Sequence, residues 1–190
     1  DALTDAEKAS EWWYQTAPGG GGMLDYCCYG ACLCRWYIGE PAVAAWGMRA
    51  NVSKHFSEAD DNGIIAVRFP EATALLEGSW STLHPGVRNG PIAYGTEGTL
   101  VADDKGGIRV YTSRNHDVEA FDDYVEADPL PEGRATPAEA FIHHLETGAP
   151  LHPTLEMMFN LDAMAILDAG IRSAASGKLE MVQNETWCIG

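Results

Sequence analysis

Gly19-Gly20-Gly21-Gly22-Met23-Leu24-Asp25-Tyr26-Cys27-Cys28-Tyr29-Gly30 is the stretch around which the rest of the chain is read. Its four consecutive glycines end whatever precedes them and let the backbone turn tightly, because glycine takes positive φ at little cost. Asp25 then stands where an N-cap or first-turn acid belongs. From there to about Ile38 the residues read as a helix, apolar except for Arg35 near its C-terminal end. Asp25 and Tyr29 lie four residues apart, so at helical spacing their side chains leave one face at neighbouring heights. An acid beside a phenol at the mouth of a glycine turn invites a chemical explanation as well as a packing one.

Composition narrows the choice. The chain has 190 residues and a formal net charge of −16, with 28 acids against 12 bases. Such a field repels phosphate backbones and anionic lipid, so nucleic acid and membrane surfaces are excluded as partners. No run of about 18 apolar residues exists, so no membrane span is expected. No charged n-region followed by an apolar h-region is visible either. Five cysteines (Cys27, Cys28, Cys32, Cys34 and Cys188) are an odd number, and four of them share one predicted helix. Neighbours on one helix are badly placed for disulfides, so reduced thiols in the cytoplasm are expected. Their spacing is not that of paired zinc ligands, which favours buried small apolar cysteine over a metal cluster. We therefore expect no metal.

Around the central helix the chain falls into three parts. Thr4-Asp5-Ala6-Glu7 has the capping-box form and opens a helix to about Tyr14, with Trp12 and Trp13 at its end packing on a core or shielding a site. Gly39-Glu40-Pro41 stops the central helix. The middle of the chain reads as strands: residues 42–52, 64–69, 73–82, 91–94, 99–102, 108–111 and 118–125. Gly95-Thr96-Glu97-Gly98 and Asp103-Asp104-Lys105-Gly106-Gly107 are hairpin connectors. Short connectors imply antiparallel neighbours. Helix returns over 136–147, opened by Thr136-Pro137-Ala138-Glu139, and over 154–176, before a closing strand at 178–182. Helices flanking an uninterrupted run of strands indicate an α+β fold: an open-faced, mainly antiparallel sheet with helices on one face. The other face, to which Leu75, Trp80 and Tyr94 are assigned, would be covered by further copies of the chain, as a homodimer or tetramer.

Taken by its residues alone, the chemistry centres on Tyr29. A phenol, with an ordinary pKa of about 10, can exchange a proton with an alcohol if a nearby cation lowers that value. The four lysines (Lys8, Lys54, Lys105 and Lys178) are all distant from Tyr29 in sequence. Either the cation comes from another domain, or Tyr29 is an ordinary buried phenol. Trp80 could offer a platform to a sugar ring or simply be core. Arg35 and Arg49 could hold a substrate carboxylate or cofactor phosphates, or be solvated. His84, His143, His144 and His152 lack metal spacing.

The stretch Gly19–Tyr29 resembles the glycine-rich turn and D-x-G-x-H/Y motif of the Gfo/Idh/MocA oxidoreductases, with Cys27 in place of the motif's glycine. Further segments are similar in the same order. Trp36 to Pro41 resembles the family's helix exit, Gly78-Ser79-Trp80-Ser81 its S-W strand, and Gly95 to Leu100 its G-T-x-G hairpin. Asn160 to Ser173 resembles its closing helix.

The resemblance implies the family's C-terminal domain over the whole of 1–190, a fold like that of the C-terminal domain of dihydrodipicolinate reductase. No strand followed by G-x-G-x-x-G and a helix is present, so the N-terminal Rossmann domain is expected to be absent from this chain. By the resemblance, Asp25 would orient the substrate and Tyr29 would move the hydroxyl proton, with Trp80 and Arg35 as substrate-binding residues. The cation would be the family's E-K-P lysine, delivered across the interdomain cleft. NAD or NADP would be bound mainly by the absent domain. Tyrosine at position 29, as in glucose–fructose oxidoreductase and the dihydrodiol and xylose dehydrogenases, leans towards NADP. The implied activity is hydride transfer at a carbinol carbon of a sugar or polyol. The alternative is a non-catalytic binding or assembly module on the same open sheet.

Overall fold

The computed structural model describes residues 4–53, 56–82, 90–114, 117 and 120–183. The expectations for Cys188, His84, Lys54 and the first residues of the 118–125 strand lie outside the described residues. The chain divides into two compact units, one formed by residues 1–82 with 150–190 and the other by 83–149. Mixed helix and antiparallel sheet is the architecture found, and the strands divide between two four-stranded sheets.

The first unit is built on the sheet β3-β2-β1-β8, from strands β1 (Ala44–Ala50), β2 (Asn62–Arg68), β3 (Thr73–Ser79) and β8 (Glu180–Met181). All its pairings are antiparallel, with Ile65 opposite Gly47 on one side and Leu76 on the other. Helix α2 (Gly22–Ile38) and helix α4 (Met157–Ser176) pack on this sheet and on each other. Met23, Cys27, Ala31 and Cys34 recur at helical spacing along α2 and are buried in one core with Ala45, Ile65, Val67, Leu76, Ile166 and Leu167. The thiols of Cys27 and Cys34 are thus used as small apolar groups, and burial pushes both up to about 11.

Glycines set how closely the helices approach. A Cβ at Gly63 of β2 would lie 2.7 Å from Met23 Cγ, and one at Gly78 of β3 would lie 2.7 Å from Tyr26 Cβ. Gly47 of β1 likewise meets the carbonyl of Gly170 on α4. The bare strand surface lets the first turn of α2 lie directly on β2 and β3.

Strand alternation sends Trp46, Met48 and Leu75 to the opposite face, where they are 39%, 50% and 69% exposed. Trp80 does not join Leu75 there. Trp80 follows the end of β3 and turns back towards α2, while Tyr94 belongs to a strand of the second unit. A break in the strand run, not visible in its short connectors, separates them.

Two predicted helices are interrupted. Helix α1 (Asp5–Ser10), closed by the expected Thr4–Glu7 capping box, stops at extended Glu11, and a 3₁₀ turn (Trp12–Tyr14) follows. A 3₁₀ turn (Pro153–Leu155) and extended Glu156 likewise precede α4.

The second unit is an antiparallel meander of β4 (Ile92–Tyr94), β5 (Thr99–Ala102), β6 (Ile108–Tyr111) and β7 (Asp123–Val125), with α3 (Pro137–Thr147). Both predicted hairpins form: the Gly95 N–H donates to Gly98 O at 2.8 Å, and the Asp103 N–H to Gly107 O at 2.9 Å. The Asp122 carboxylate accepts from the backbone N–H groups of Thr112 and Ser113 at 2.6 and 2.8 Å and closes the β6–β7 connection.

Candidate functional site

The glycine turn is held from both sides. Gly20 and Gly21 donate to the carbonyls of Gln15 and Trp13 at 2.9 and 3.1 Å, and Gly22 donates to Asp60 O at 2.7 Å. Gly19 and Gly21 have φ of +92° and +141°, backbone that L side chains rarely adopt. A Cβ on Gly21 would also lie 2.7 Å from Asp60 Oδ1. Helix α2 therefore begins at Gly22, three residues before Asp25.

Asp25 is a first-turn acid and does not cap the helix. The carboxylate that meets the first turn is Asp60, whose Oδ2 accepts from the Met23 N–H at 2.8 Å. This leaves the Asp25 side chain for another partner. The Trp80 indole N–H donates to Asp25 Oδ2 at 2.9 Å, joining two of the sequence-predicted site residues 55 positions apart. Tyr29, one turn further along α2, is 65% exposed. The reading of Tyr29 as an ordinary buried phenol is thereby corrected: nothing covers it within the unit, because its face of α2 points away from the sheet.

Trp80 is held by an aromatic row that sequence reading left as isolated residues. Its ring meets Tyr14 edge-on at 5.0 Å between centroids, and Tyr14 meets Phe56 at 5.6 Å and Trp13 at 6.2 Å. The Tyr14 carbonyl accepts from the N–H groups of Glu58 and Ala59 at 2.9 and 3.0 Å. Trp13 remains 38% exposed and Trp12 55% exposed, so they border the site more than they build the core.

Arg35 is not brought to this group. It lies ten residues beyond Asp25 on α2, about 15 Å along the axis. Its Nε bonds to Asp162 Oδ2 at 2.9 Å, the two side chains being 17% and 16% exposed, and its guanidinium lies over Phe159. Arg35 forms an interhelical ion pair here, because α4 presents an acid at that height. Arg49, the other arginine considered, has its guanidinium 3.4 Å from Asp60.

Asp60 and Asp61, between the predicted strands at 42–52 and 64–69, are residues that the sequence alone does not single out. Asp61 is fully buried. Burial alone would raise its carboxyl, but hydrogen bonds from the Val52 and Ser53 backbone, the Ser53 hydroxyl and the Asn62 amide outweigh it and hold the group down to about 2. The Asp61 carbonyl accepts from the Trp80 backbone N–H at 2.8 Å, so the anchored loop also fixes where the indole starts. An ordinary carboxyl titrates near 3.9, so the stability that Asp61 contributes is present above about pH 4 and lost as pH falls towards 2. We expect Asp61→Asn to lower the denaturant midpoint at pH 7 and to flatten its decline between pH 5 and 2. An unchanged acid slope in that variant would contradict this account.

Among the described residues no group of three or more His, Cys, Asp or Glu side chains is placed to hold a metal ion. No helix among them is long and apolar enough to cross a membrane. Every strand pairing is antiparallel, so these residues do not form the parallel strand–helix–strand unit that cradles a dinucleotide.

Comparison with known proteins adds a family. A family model described as GFO/IDH/MocA C-terminal domain matches residues 1–101, just over half of the chain. No curated protein matches it. Among solved structures, the chain is similar to the WlbA dehydrogenase from Bordetella pertussis in complex with NADH and UDP-GlcNAcA, with 18% identity and a TM-score of 0.66 over 95% of this chain and 51% of that one. It is also similar to a levoglucosan dehydrogenase in complex with NADH and levoglucosan, with 22% identity and a TM-score of 0.68 over 94% of this chain and 55% of that one. An aldose-aldose oxidoreductase from Caulobacter crescentus complexed with glycerol gives 21% identity and a TM-score of 0.67 over 91% and 51%. The chain spans about half the length of these structures, and at such identity the likeness is one of fold.

Proposed function

The chain belongs to the GFO/IDH/MocA family as a C-terminal domain, and from that premise we propose that it forms the substrate-side wall of a nicotinamide-dependent oxidoreductase acting on a sugar or polyol. The observation that carries this reading is the pair on α2: an exposed phenol one turn from a carboxylate whose orientation is held by an indole N–H. A polyhydroxylated substrate offers hydroxyl groups to both. Asp25 accepts a hydrogen bond from one hydroxyl and sets the pose. Tyr29 takes the proton of the reacting hydroxyl as the carbinol carbon gives up its hydride.

The dinucleotide, when bound, supplies the hydride acceptor; we place its cradle on a separate Rossmann domain, together with the lysine that would lower the Tyr29 phenol. By the family resemblance, the tyrosine at position 29 leans towards NADP. The NADH in two of the related structures supports a nicotinamide dinucleotide without favouring the extra phosphate. Trp46, Met48 and Leu75 support a homo-oligomer through the open sheet face, since three large apolar side chains at half exposure are costly to leave in water.

The test is a screen of the full-length protein with NAD and NADP against aldoses and polyols, following dinucleotide absorbance. Reduction of either dinucleotide with at least one sugar or polyol is the expected result. A full-length protein that binds such compounds but transfers no hydride to either dinucleotide would favour the non-catalytic module.

A further inference from the structure

We propose that Trp80 is a positioning residue that acts through Asp25, fixing its carboxylate for the substrate, and is not itself a platform for the sugar ring. This deepens the proposed function and rests on that reading of Asp25.

Asp25 sits on the exposed side of α2, where an aspartate side chain ordinarily samples several rotamers. One bond and the backbone remove that freedom. The helix fixes Cα and Cβ, and the indole N–H holds Oδ2 at 2.9 Å, which leaves Oδ1 free to meet a substrate hydroxyl. The hydrogen bond is charge-assisted, the stronger kind.

The donor is itself held at two points, each anchored in turn. Its main-chain N–H is held by Asp61 O at 2.8 Å, and the side chain of Asp61 is tied to Val52, Ser53 and Asn62. Its ring is buttressed edge-on by Tyr14, and the carbonyl of Tyr14 also receives the Ser57 hydroxyl at 3.2 Å. These contacts converge on the angle at which the indole N–H leaves the ring. A stacking platform would be indifferent to that angle. Productive geometry held within a fraction of an ångström is what such a supporting shell provides.

A double-mutant cycle in the full-length enzyme tests this, using Trp80→Phe, Asp25→Asn and the pair. Trp80→Phe keeps a ring face and removes the donor. We expect it to lower kcat/KM about 10-fold, with thermal melting close to wild type. In the Asp25→Asn background the same change should cost less than about 2-fold, because two residues acting as one unit are not additive. The Trp80 indole ¹H–¹⁵N resonance should move in Asp25→Ala, a signature that mere packing would not produce. An equal loss from Trp80→Phe in both backgrounds overturns the proposal. So does wild-type kcat/KM in Trp80→Phe alongside a loss in Trp80→Leu, the result expected of a stacking platform. If Asp25→Asn itself turns over like wild type, the assigned role of Asp25 fails and this proposal fails with it. An impaired Asp25→Asn beside an additive Trp80→Phe removes only the role of Trp80.

Discussion

Tyr29→Phe in the full-length enzyme is expected to lower kcat by about 10²–10⁴, the usual span for a group that moves a proton in the transition state. The substitution deletes one oxygen from a side chain that is 65% exposed, so it opens no cavity and breaks no packing. That separates chemistry from folding: melting should be unchanged while turnover collapses. KM for the sugar should change far less than kcat, because the proton transfer is made only in the transition state. Asp25→Asn predicts a different pattern. Its role is to hold the pose, so it should raise KM as well as lower kcat. Wild-type turnover by Tyr29→Phe would remove the phenol from the mechanism and leave the exposed pair on α2 without a chemical account.

Local signals carried most of the fold. The Thr4–Glu7 box, the Thr136-Pro137-Ala138-Glu139 opening and the Gly95–Gly98 hairpin all form as residue chemistry requires, because each is closed by bonds within a few residues. Strands β5 and β6 fall at residues 99–102 and 108–111, where the apolar runs between glycine connectors place them. The division of the strands into two sheets was not legible. Short connectors specify which neighbours pair, not where a run of strands ends and another begins. The place of β8 beside β1 depends on a pairing between Ala45 and Glu180, far apart in sequence, and local pattern says nothing about it.

The site was legible where it is local and obscure where it is not. Asp25 and Tyr29 share a helix face by spacing alone, and both are exposed on α2. Trp80 was placed near the site by order of motifs, but its hydrogen bond to Asp25 spans 55 positions. Asp60 lay hidden in a connector because the helix turn it meets is 37 residues upstream. For Arg35 the distant partner is Asp162, 127 positions away, a contact that local pattern does not reveal.

Gly63→Val should strongly destabilise the first unit, and it should damage the site as well. Two effects oppose each other at this position. Valine suits a strand interior better than glycine, by roughly 1 kcal/mol. Against that, even a lone Cβ would lie 2.8 Å from the Met23 Cα, so the backbone of α2 must move and no rotamer change suffices. Valine adds two methyl groups to that collision. Overpacking of this kind costs about 1–3 kcal/mol when side chains can yield, and more when backbone must shift. We therefore expect a net loss of about 3 kcal/mol or more, read as a lowered denaturant midpoint. Gly63→Ala should lie between valine and wild type. Met23→Ala should not rescue the alanine variant, since it clears Cγ but leaves the Met23 Cβ and Cα in place and opens a cavity in the core. Lifting the first turn of α2 also carries Asp25 away from the Trp80 indole, so Gly63→Ala should lose activity at temperatures where it remains folded. A Gly63→Ala protein with wild-type stability and turnover would mean that the close approach of α2 to β2 is not what sets the site.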